Sequence, residues 1–360
     1  MTTRAATLAR AADLCASFEA AGAQRIETPV LQPAEALLDL YGEEIRARAY
    51  VTSDALRGEQ MLRPDFTVPV VQMHMAHGAE PARYTYAGEV FRRQEHDPSR
   101  ANEYFQVGYE VFDRENPAAA DAEVFCLFET VLSPLRLRAA TGDIGILTAA
   151  VRGLRTTDAR KSALLRHIWR PRRFRSLLDR YAGRIKPSKQ RLELLAGRAA
   201  APDAPLIGKR SQSEIDARIA LLHADAATAP LSETEVDLLD ALVNVRETMP
   251  FAVQQLRDLA VDMPSIEQAV ARLSDRAEAL AKRGVDVDAL PFEASYGRTS
   301  MEYYDGFVFG YYHPKRHDLP AVATGGRYDA LTRRLGEGAE IPAVGGVIRP
   351  DLMLMLEGGA

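Results

Sequence analysis

The chain has only two cysteines in 360 residues, Cys15 and Cys126, far apart and each set in an apolar pattern. That scarcity argues against a disulfide framework, and both thiols read as core residues. Seven histidines are present, yet none falls into a metal-ligand spacing. His74 and His77, the nearest helix-compatible pair, have no Cys, Glu or third His placed to complete a site. No metal is expected. No apolar run approaches the roughly 20 residues needed to cross a bilayer, and the first residues lack the basic-then-apolar order of a secretory signal. The expectation is a soluble cytoplasmic protein with no membrane segment. Internal repeats and low-complexity linkers are also missing from the sequence.

What is present is ordinary globular composition, 47% hydrophobic and 26% charged, enough for one large core or two moderate ones. The formal charge of −5 conceals an asymmetry. From Arg152 to Arg191 there are 14 Lys or Arg against two Asp, which leaves the remainder at about −17. Such a segment suits nucleic acid, a phosphorylated ligand or an acidic protein surface, and equally a solvated helical face.

Leu8, Ala11, Cys15 and Phe18 recur at helical spacing and Gly22 follows, so the chain opens on an amphipathic helix. Gln24–Leu31 carries a Thr-Pro that confines it to a strand edge or an interface. Val68–Ala76 reads as a helix with Pro69 in its first turn. Tyr84–Phe91 and Tyr104–Phe112 are rich in aromatic and β-branched residues and read as strands joined by a polar loop. Asp143–Ala149 reads as a further strand. Beyond it the basic region shows broken helical spacing, and Leu231–Arg283 carries long helical patterns. Strand character returns at Phe292–Tyr312, and Ile341–Leu356 reads as a strand running into a helix entered through Pro350.

The stretch Arg63–Thr67 (Arg-Pro-Asp-Phe-Thr) followed by the two strands suits a pocket for a small charged ligand. Arginine offers a fixed fork of donors and carboxylates can hold an ammonium group. Strand alternation places Tyr104, Gln106, Gly108, Glu110 and Phe112 on one face, and groups Tyr84, Tyr86, Gly88, Val90 and Arg92 in the same way. The glycines between polar side chains mark space over the sheet, provided the pairing brings the two faces together.

These pieces resemble a histidyl-tRNA synthetase catalytic core. The resemblance covers roughly residues 5–150 and 290–356 and implies an α+β fold: a class II synthetase-like antiparallel sheet flanked by helices, with a helical insertion. Its parts are expected to be 1–150 with motifs 1 and 2, a basic helical insertion at 151–230, and 231–360 with the histidine-specific segments and a degenerate motif 3. Gln24–Leu31 resembles the motif 1 dimer interface, which implies self-association, and Arg83–Phe112 is similar to motif 2 with Arg92 as the nucleotide-facing arginine. Arg63–Thr67 resembles the family's Arg-Pro-Glu-Gly-Thr turn, with Asp65 for Glu and Phe66 for Gly. By the same resemblance Asp65, Thr67, Gln106, Glu110, Tyr303 and Tyr304 are the expected histidine contacts. Arg92 and Arg327 are candidates for contacting a nucleotide or another anion.

The sequence departs from that pattern where ATP chemistry is needed. Leu352 aligns with the motif 3 arginine, and Arg349 is almost a helical turn away and expected to point elsewhere. Thr299 aligns with a second catalytic arginine; Arg298 is one residue off, which in a strand reverses its facing. The acid that usually follows the motif 2 arginine is replaced by Arg93–Gln94, and the sequence given ends four residues after the motif 3 helix, leaving no room for an anticodon-binding domain. Arginines aimed at developing phosphate charge supply much of the catalytic effect in adenylation. A pocket kept without that chemistry resembles the regulatory subunits of ATP phosphoribosyltransferase, paralogues of the synthetases. That resemblance implies no catalytic residue and no cofactor. It implies a short-form catalytic subunit as partner, histidine as feedback effector, and no role for tRNA. The rival expectation is an active enzyme that adenylates an amino acid.

Overall fold

The computed structural model describes residues 3–34, 47–94, 100–198, 208, 210–298 and 303–358. Helix α1 (Arg4–Ala20) starts at Thr3, whose side chain accepts from the Ala6 amide. Its inward stripe is Thr7, Ala11, Leu14, Cys15 and Phe18. Leu8, expected on that stripe, is exposed on the outside instead.

Nine strands form one sheet. In chain order they are β1 (Gln24–Arg25), β5 (Ala82–Phe91), β6 (Glu103–Phe112), β7 (Arg138–Asp143), β8 (Arg246–Thr248), β9 (Pro291–Glu293), β10 (Phe307–Tyr312), β11 (Ala323–Arg327) and β12 (Ala343–Ile348). The spatial order is β1-β5-β6-β12-β11-β10-β7-β9-β8. The six central strands pair antiparallel, whereas β1 joins β5 and β9 joins β7 in parallel. The sheet is thus mixed at its margins rather than antiparallel throughout. Each parallel pair is joined by a long crossover, from β1 to β5 through residues 26–81, which include the helix Thr67–His77, and from β7 to β9 through the helical region. A second sheet of β2 (Leu31–Pro33), β3 (Val51–Asp54) and β4 (Gly58–Leu62) has the order β2-β4-β3.

The sheet's two faces differ in character. On one, α1 and α3 (Pro117–Leu132) bring Phe18 to 5.3 Å from Tyr109 and 5.7 Å from Phe128, a dry aromatic layer. The other face carries Gln106 and Glu110, together with α2 (Thr67–His77). Pro69 falls in the first turn of α2, where its missing N–H costs nothing.

Asp143–Ala149 is not a strand. The strand ends at Asp143, whose side chain accepts from the Gly145 amide and starts α4 (Ile144–Gly153). Ile144, Ile146, Leu147, Ala150 and Val151 are its buried residues. A short apolar run does not separate strand from helix by periodicity, and here the Asp cap decides it. The helices that follow are α5 (Asp158–Arg166), α6 (Pro171–Tyr181), α7 (Lys189–Leu195), α8 (Gln212–Ala227), α9 (Glu233–Val243), α10 (Met249–Asp262) and α11 (Glu267–Lys282). Two short helices close the chain, α12 (Asp329–Leu335) and α13 (Pro350–Glu357). Among the described residues of Phe292–Tyr312, strand geometry is kept only at the ends, in β9 and β10. Among the described residues no helix is long and apolar enough to cross a membrane.

A buried charge network fastens α3 and α11 to the sheet. Arg276 donates from Nε to Asp121 at 2.7 Å and from Nη1 to Asp143 at 2.9 Å. Arg327 donates to the other oxygen of Asp121 at 2.6 Å, to Asp329 at 3.0 Å and to the Pro117 carbonyl at 2.8 Å. Asp121, Asp143, Arg276 and Arg327 are all taken out of water, so removing one partner strands the others. Asp121→Ala leaves two buried guanidinium groups short of a counter-charge and is expected to destabilise the fold by about 3–5 kcal/mol, read from urea denaturation midpoints.

Candidate functional site

The register of β5 on β6 sets Tyr84 opposite Glu110, Tyr86 opposite Gly108 and Gly88 opposite Gln106. Directly opposed residues share a face, so the two glycine-marked strands do present one surface. Their gaps are not open. The ring of Tyr86 lies across Gly108, where a Cβ would come within 2.1 Å of it. Over Gly88 lie Arg63 and Phe66, at 2.4 and 3.0 Å from the place a Cβ would take. Phe66 stacks on Tyr86 with ring centroids 4.4 Å apart, and the Arg63 guanidinium sits 4.0 Å above Phe66. The space expected for a ligand over these glycines is therefore filled by the protein's own side chains.

Arg63 earns its burial in the turn by satisfying backbone. It donates to the Glu89 carbonyl at 2.8 Å and to the Thr28 carbonyl at 2.6 Å, tying the turn to β5 and to the segment after β1. The turn then delivers Asp65 and Thr67 to the site. Asp65 is 2% exposed and accepts from the Tyr303 hydroxyl at 3.3 Å, with Arg92 Nη2 4.0 Å away. Arg92 also donates from Nε to the Pro64 carbonyl at 2.7 Å.

Glu110 is fully buried. Oε1 accepts from Thr67 at 3.1 Å and Tyr86 at 2.7 Å, and Oε2 from Tyr328 at 2.6 Å. The carboxylate leans over Gly345, its opposite on β12, where any Cβ would collide with Oε2 at 1.4 Å. Burial pushes its carboxyl up to about 7 even though the three hydroxyls favour the ionised form. Gln106 is 1% exposed and its Oε1 has no hydrogen-bond donor. A buried orphan acceptor is uncommon and calls for a partner. Tyr303 and Tyr304 are buried beside the two carboxylates, and Tyr304 lies over Gly326 of β11, 2.8 Å from a Cβ there.

Asp65, Thr67, Gln106, Glu110, Tyr303 and Tyr304 thus come together on one face. Arg327 does not join them. It follows Gly326 by one residue, so the alternation of β11 turns it to the opposite face, where Asp121 and Asp329 occupy it. Its expected anion contact is corrected to a structural ion pair. Tyr86 and Tyr328 were not among the expected contacts, although Tyr86 shares the alternation of Gly88 and Tyr328 lies inside the glycine-bearing segment Thr324–Asp329.

Leu352 is buried in α13, 6% exposed, and cannot meet phosphate. Arg349 does not point elsewhere. Its guanidinium stacks 4.8 Å above Tyr104, which is on the Gln106 face. Burial and the nearby charges of Arg92 and Arg100 lower its proton affinity. Thr299 lies outside the described residues. Arg298 lies in a turn rather than a strand, so alternation does not set its direction; it donates to the Ile168 carbonyl at 2.8 Å, between α5 and α6.

The arrangement is two buried acids in a cage of phenols with an orphan amide acceptor, suited to a small cation that carries several N–H donors. A family model described as histidyl-tRNA synthetase matches residues 2–205 and 209–352. The chain belongs to the histidyl-tRNA synthetase family. Within it, the chain is 32% identical over 356 positions to a protein of Agrobacterium fabrum named ATP phosphoribosyltransferase regulatory subunit, spanning 93% of each. A Brucella anthropi protein of the same name is 30% identical over 371 positions and 96% of each. A solved structure from Bacillus halodurans, titled ATP phosphoribosyltransferase regulatory subunit/histidyl-tRNA synthetase, has a TM-score of 0.69 at 21% identity and covers 98% of this chain and 79% of that one. Nostoc histidyl-tRNA synthetase gives 0.65 at 17%, with 98% of this chain and 72% of that chain covered. These two structures speak for the fold.

Glu110 supplies a pH signature. Its carboxyl ionises near 4.5 in an unfolded chain and at about 7 when folded, so the folded state holds an extra proton between those values. Stability contributed by that proton is present below the unfolded value and is lost as pH rises through the folded one. Between pH 5 and 8 the wild type is expected to lose about 3 kcal/mol more stability than Glu110→Gln, which has no proton to release, as measured by urea unfolding at both pH values.

Proposed function

We infer that the chain is the regulatory subunit of an ATP phosphoribosyltransferase, acting in histidine biosynthesis without catalysing a reaction of its own. The observation that carries this is near-full-length similarity, at 30–32% identity, to relatives bearing that name. Its partner is then a short-form catalytic subunit that joins ATP to a phosphoribosyl donor, and its effector is histidine. The cage around Asp65 and Glu110 supports an effector site for histidine: the carboxylates face the ammonium and imidazole groups, Gln106 Oε1 accepts one ligand N–H, and Tyr303 and Tyr304 close the pocket. Two-state control of the catalytic partner requires histidine to favour one arrangement of the complex by its differential affinity. Self-association through the segment after β1 belongs to the same reading, with Val30, Leu31 and Val51 exposed there. So do the cytoplasmic setting and a helical module at 151–230 inserted between two parts of the core.

Leu352 opposes the alternative of an adenylating enzyme, since an apolar core residue occupies the place of the ATP arginine. Arg92 and Arg349 favour it enough to warrant a direct assay. The purified chain alone is expected to show no histidine-dependent ATP–pyrophosphate exchange; exchange above background would establish the rival.

With a short-form catalytic subunit, the chain should co-elute in size-exclusion chromatography and make phosphoribosyl transfer sensitive to histidine. Glu110→Ala should weaken histidine binding in isothermal titration by about tenfold or more, the scale of a lost charge-assisted contact. Unaltered affinity in that variant would remove histidine from this pocket while leaving the partnership standing.

A further inference from the structure

The basic stretch Arg152–Arg191 is less open than its composition suggests. Arg160 and Arg191 both pair with Asp225 of α8 at 2.6 Å. Arg175 pairs with Asp240, and Arg184 with Glu233. These contacts occupy four of the arginines, while others, Arg172 and Arg173 among them, are exposed. One cation nearby is not balanced. Arg298 is 5% exposed, makes no ion pair among the described residues, and its Nη2 is buried with no hydrogen-bond partner. Burial draws its affinity for protons down to about 10. An uncompensated buried guanidinium is costly and calls for an anion.

Its position says where that anion would sit. Gly297, at φ +86°, turns the chain immediately before Arg298 in a conformation that suits glycine. The guanidinium lies 4.8 Å over Phe174, the fourth residue of α6, while Nε holds the Ile168 carbonyl, two residues ahead of that helix's N-cap, Arg170. Arg298 therefore brackets the start of α6 from both sides. That helix start has no side-chain cap and no acidic residue in its first turn. Pro171 occupies N1, so the amides of Arg172 and Arg173 are the free donors of this end. Both arginine side chains are exposed. Helices normally place acids here, since the positive end of the dipole repels cations. Two arginines in the first turn and a buried third beside it make the opposite choice.

We propose that Arg298 and the N-terminal turn of α6 form a binding site for a small phosphorylated ligand. The helix amides and the Arg298 fork supply directed donors to phosphate oxygens, and Arg172 and Arg173 supply charge at the rim. A single guanidinium fork beside one helix start suits a compact phosphate group. The site is separate from the Glu110 cage and holds whether or not that cage binds histidine.

The test is isothermal titration of the full chain with inorganic pyrophosphate at low salt. Saturable binding at one site per chain is expected, and Arg298→Met should weaken it about tenfold or more. The same variant should keep or raise the melting temperature, because an unbalanced charge has left the interior. The exposed pair Arg172→Gln with Arg173→Gln should weaken binding several-fold with an unchanged melting temperature, which keeps the test independent of how Arg298→Met folds. Failure of the wild type to bind pyrophosphate would overturn the site. So would binding that survives Arg298→Met and is abolished by Arg349→Met, or affinity for RNA with none for pyrophosphate.

Discussion

The carboxyl group of Glu110 ties together four separate parts of this molecule. It takes a hydroxyl from Thr67 at the head of α2, one from Tyr86 on β5 and one from Tyr328 just before α12. Each hydroxyl belongs to a different element, so the four parts are held in one arrangement by a single carboxyl group that is fully buried. Such a network is favourable only when every member is satisfied, because the low dielectric that strengthens each contact also penalises any that is missing. Gly345 is part of the same device: the acid can lie flat on β12 only because no side chain stands there. Gly326 does the same for Tyr304.

The period of two along each strand then sorts charges into two kinds. Asp65, Glu110, Arg92 and Arg349 share the face with the tyrosine cage, whereas Arg327 and Asp143 are turned to the other with Asp121 and Arg276. On that second face the ions are mutually paired and hold α3 and α11 in place, and a cleft of about 1250 Å³ opens beside them. Part of its lining is committed to structure: Asp121, Asp143, Arg276 and Arg327 satisfy one another. On the Glu110 face an acceptor is left over, at Gln106, beside an acid that burial pushes up to about 7; in the cleft Asp305 is likewise pushed up to about 7 by burial.

Much of this was legible in the sequence because alternation and motif order are local signals. Both long strands, their shared face, α2 with Pro69 and the run from β12 into α13 follow from residues a few positions apart. What was missed depends on contacts across the sheet. That Phe66 and Arg63 fill the gap over Gly88 cannot be read from spacing, since it requires the turn and β5 to be folded together. Arg327 was placed in the site by its motif, yet a one-residue offset from Gly326 is enough to remove it. Asp143–Ala149 failed for a different reason: an apolar run of this length fits both periods, and the capping acid that settles it also ends the strand before it. Arg349 was assigned a direction from helix geometry, but it precedes α13 and follows strand geometry instead.

The cage also constrains how a ligand could act on it. A carboxylate offers about four lone-pair positions, and Glu110 has three filled by hydroxyls, two on Oε1 and one on Oε2. One position on Oε2 is left. Burial pushes the carboxyl up to about 7, so the neutral form, whose proton that position would hold, is accessible near neutral pH. A ligand N–H entering there takes the place of the proton, so occupancy converts a neutral acid into an anion facing a cation. The three hydroxyls are then drawn more tightly to the same atoms, because hydrogen bonds to an ionised acceptor are stronger than those to a neutral one. Thr67, Tyr86 and Tyr328 stand on α2, β5 and the entry to α12, and the strengthening reaches all three at once. A ligand bound to this acid would bias the fold as a whole without any catalytic group taking part.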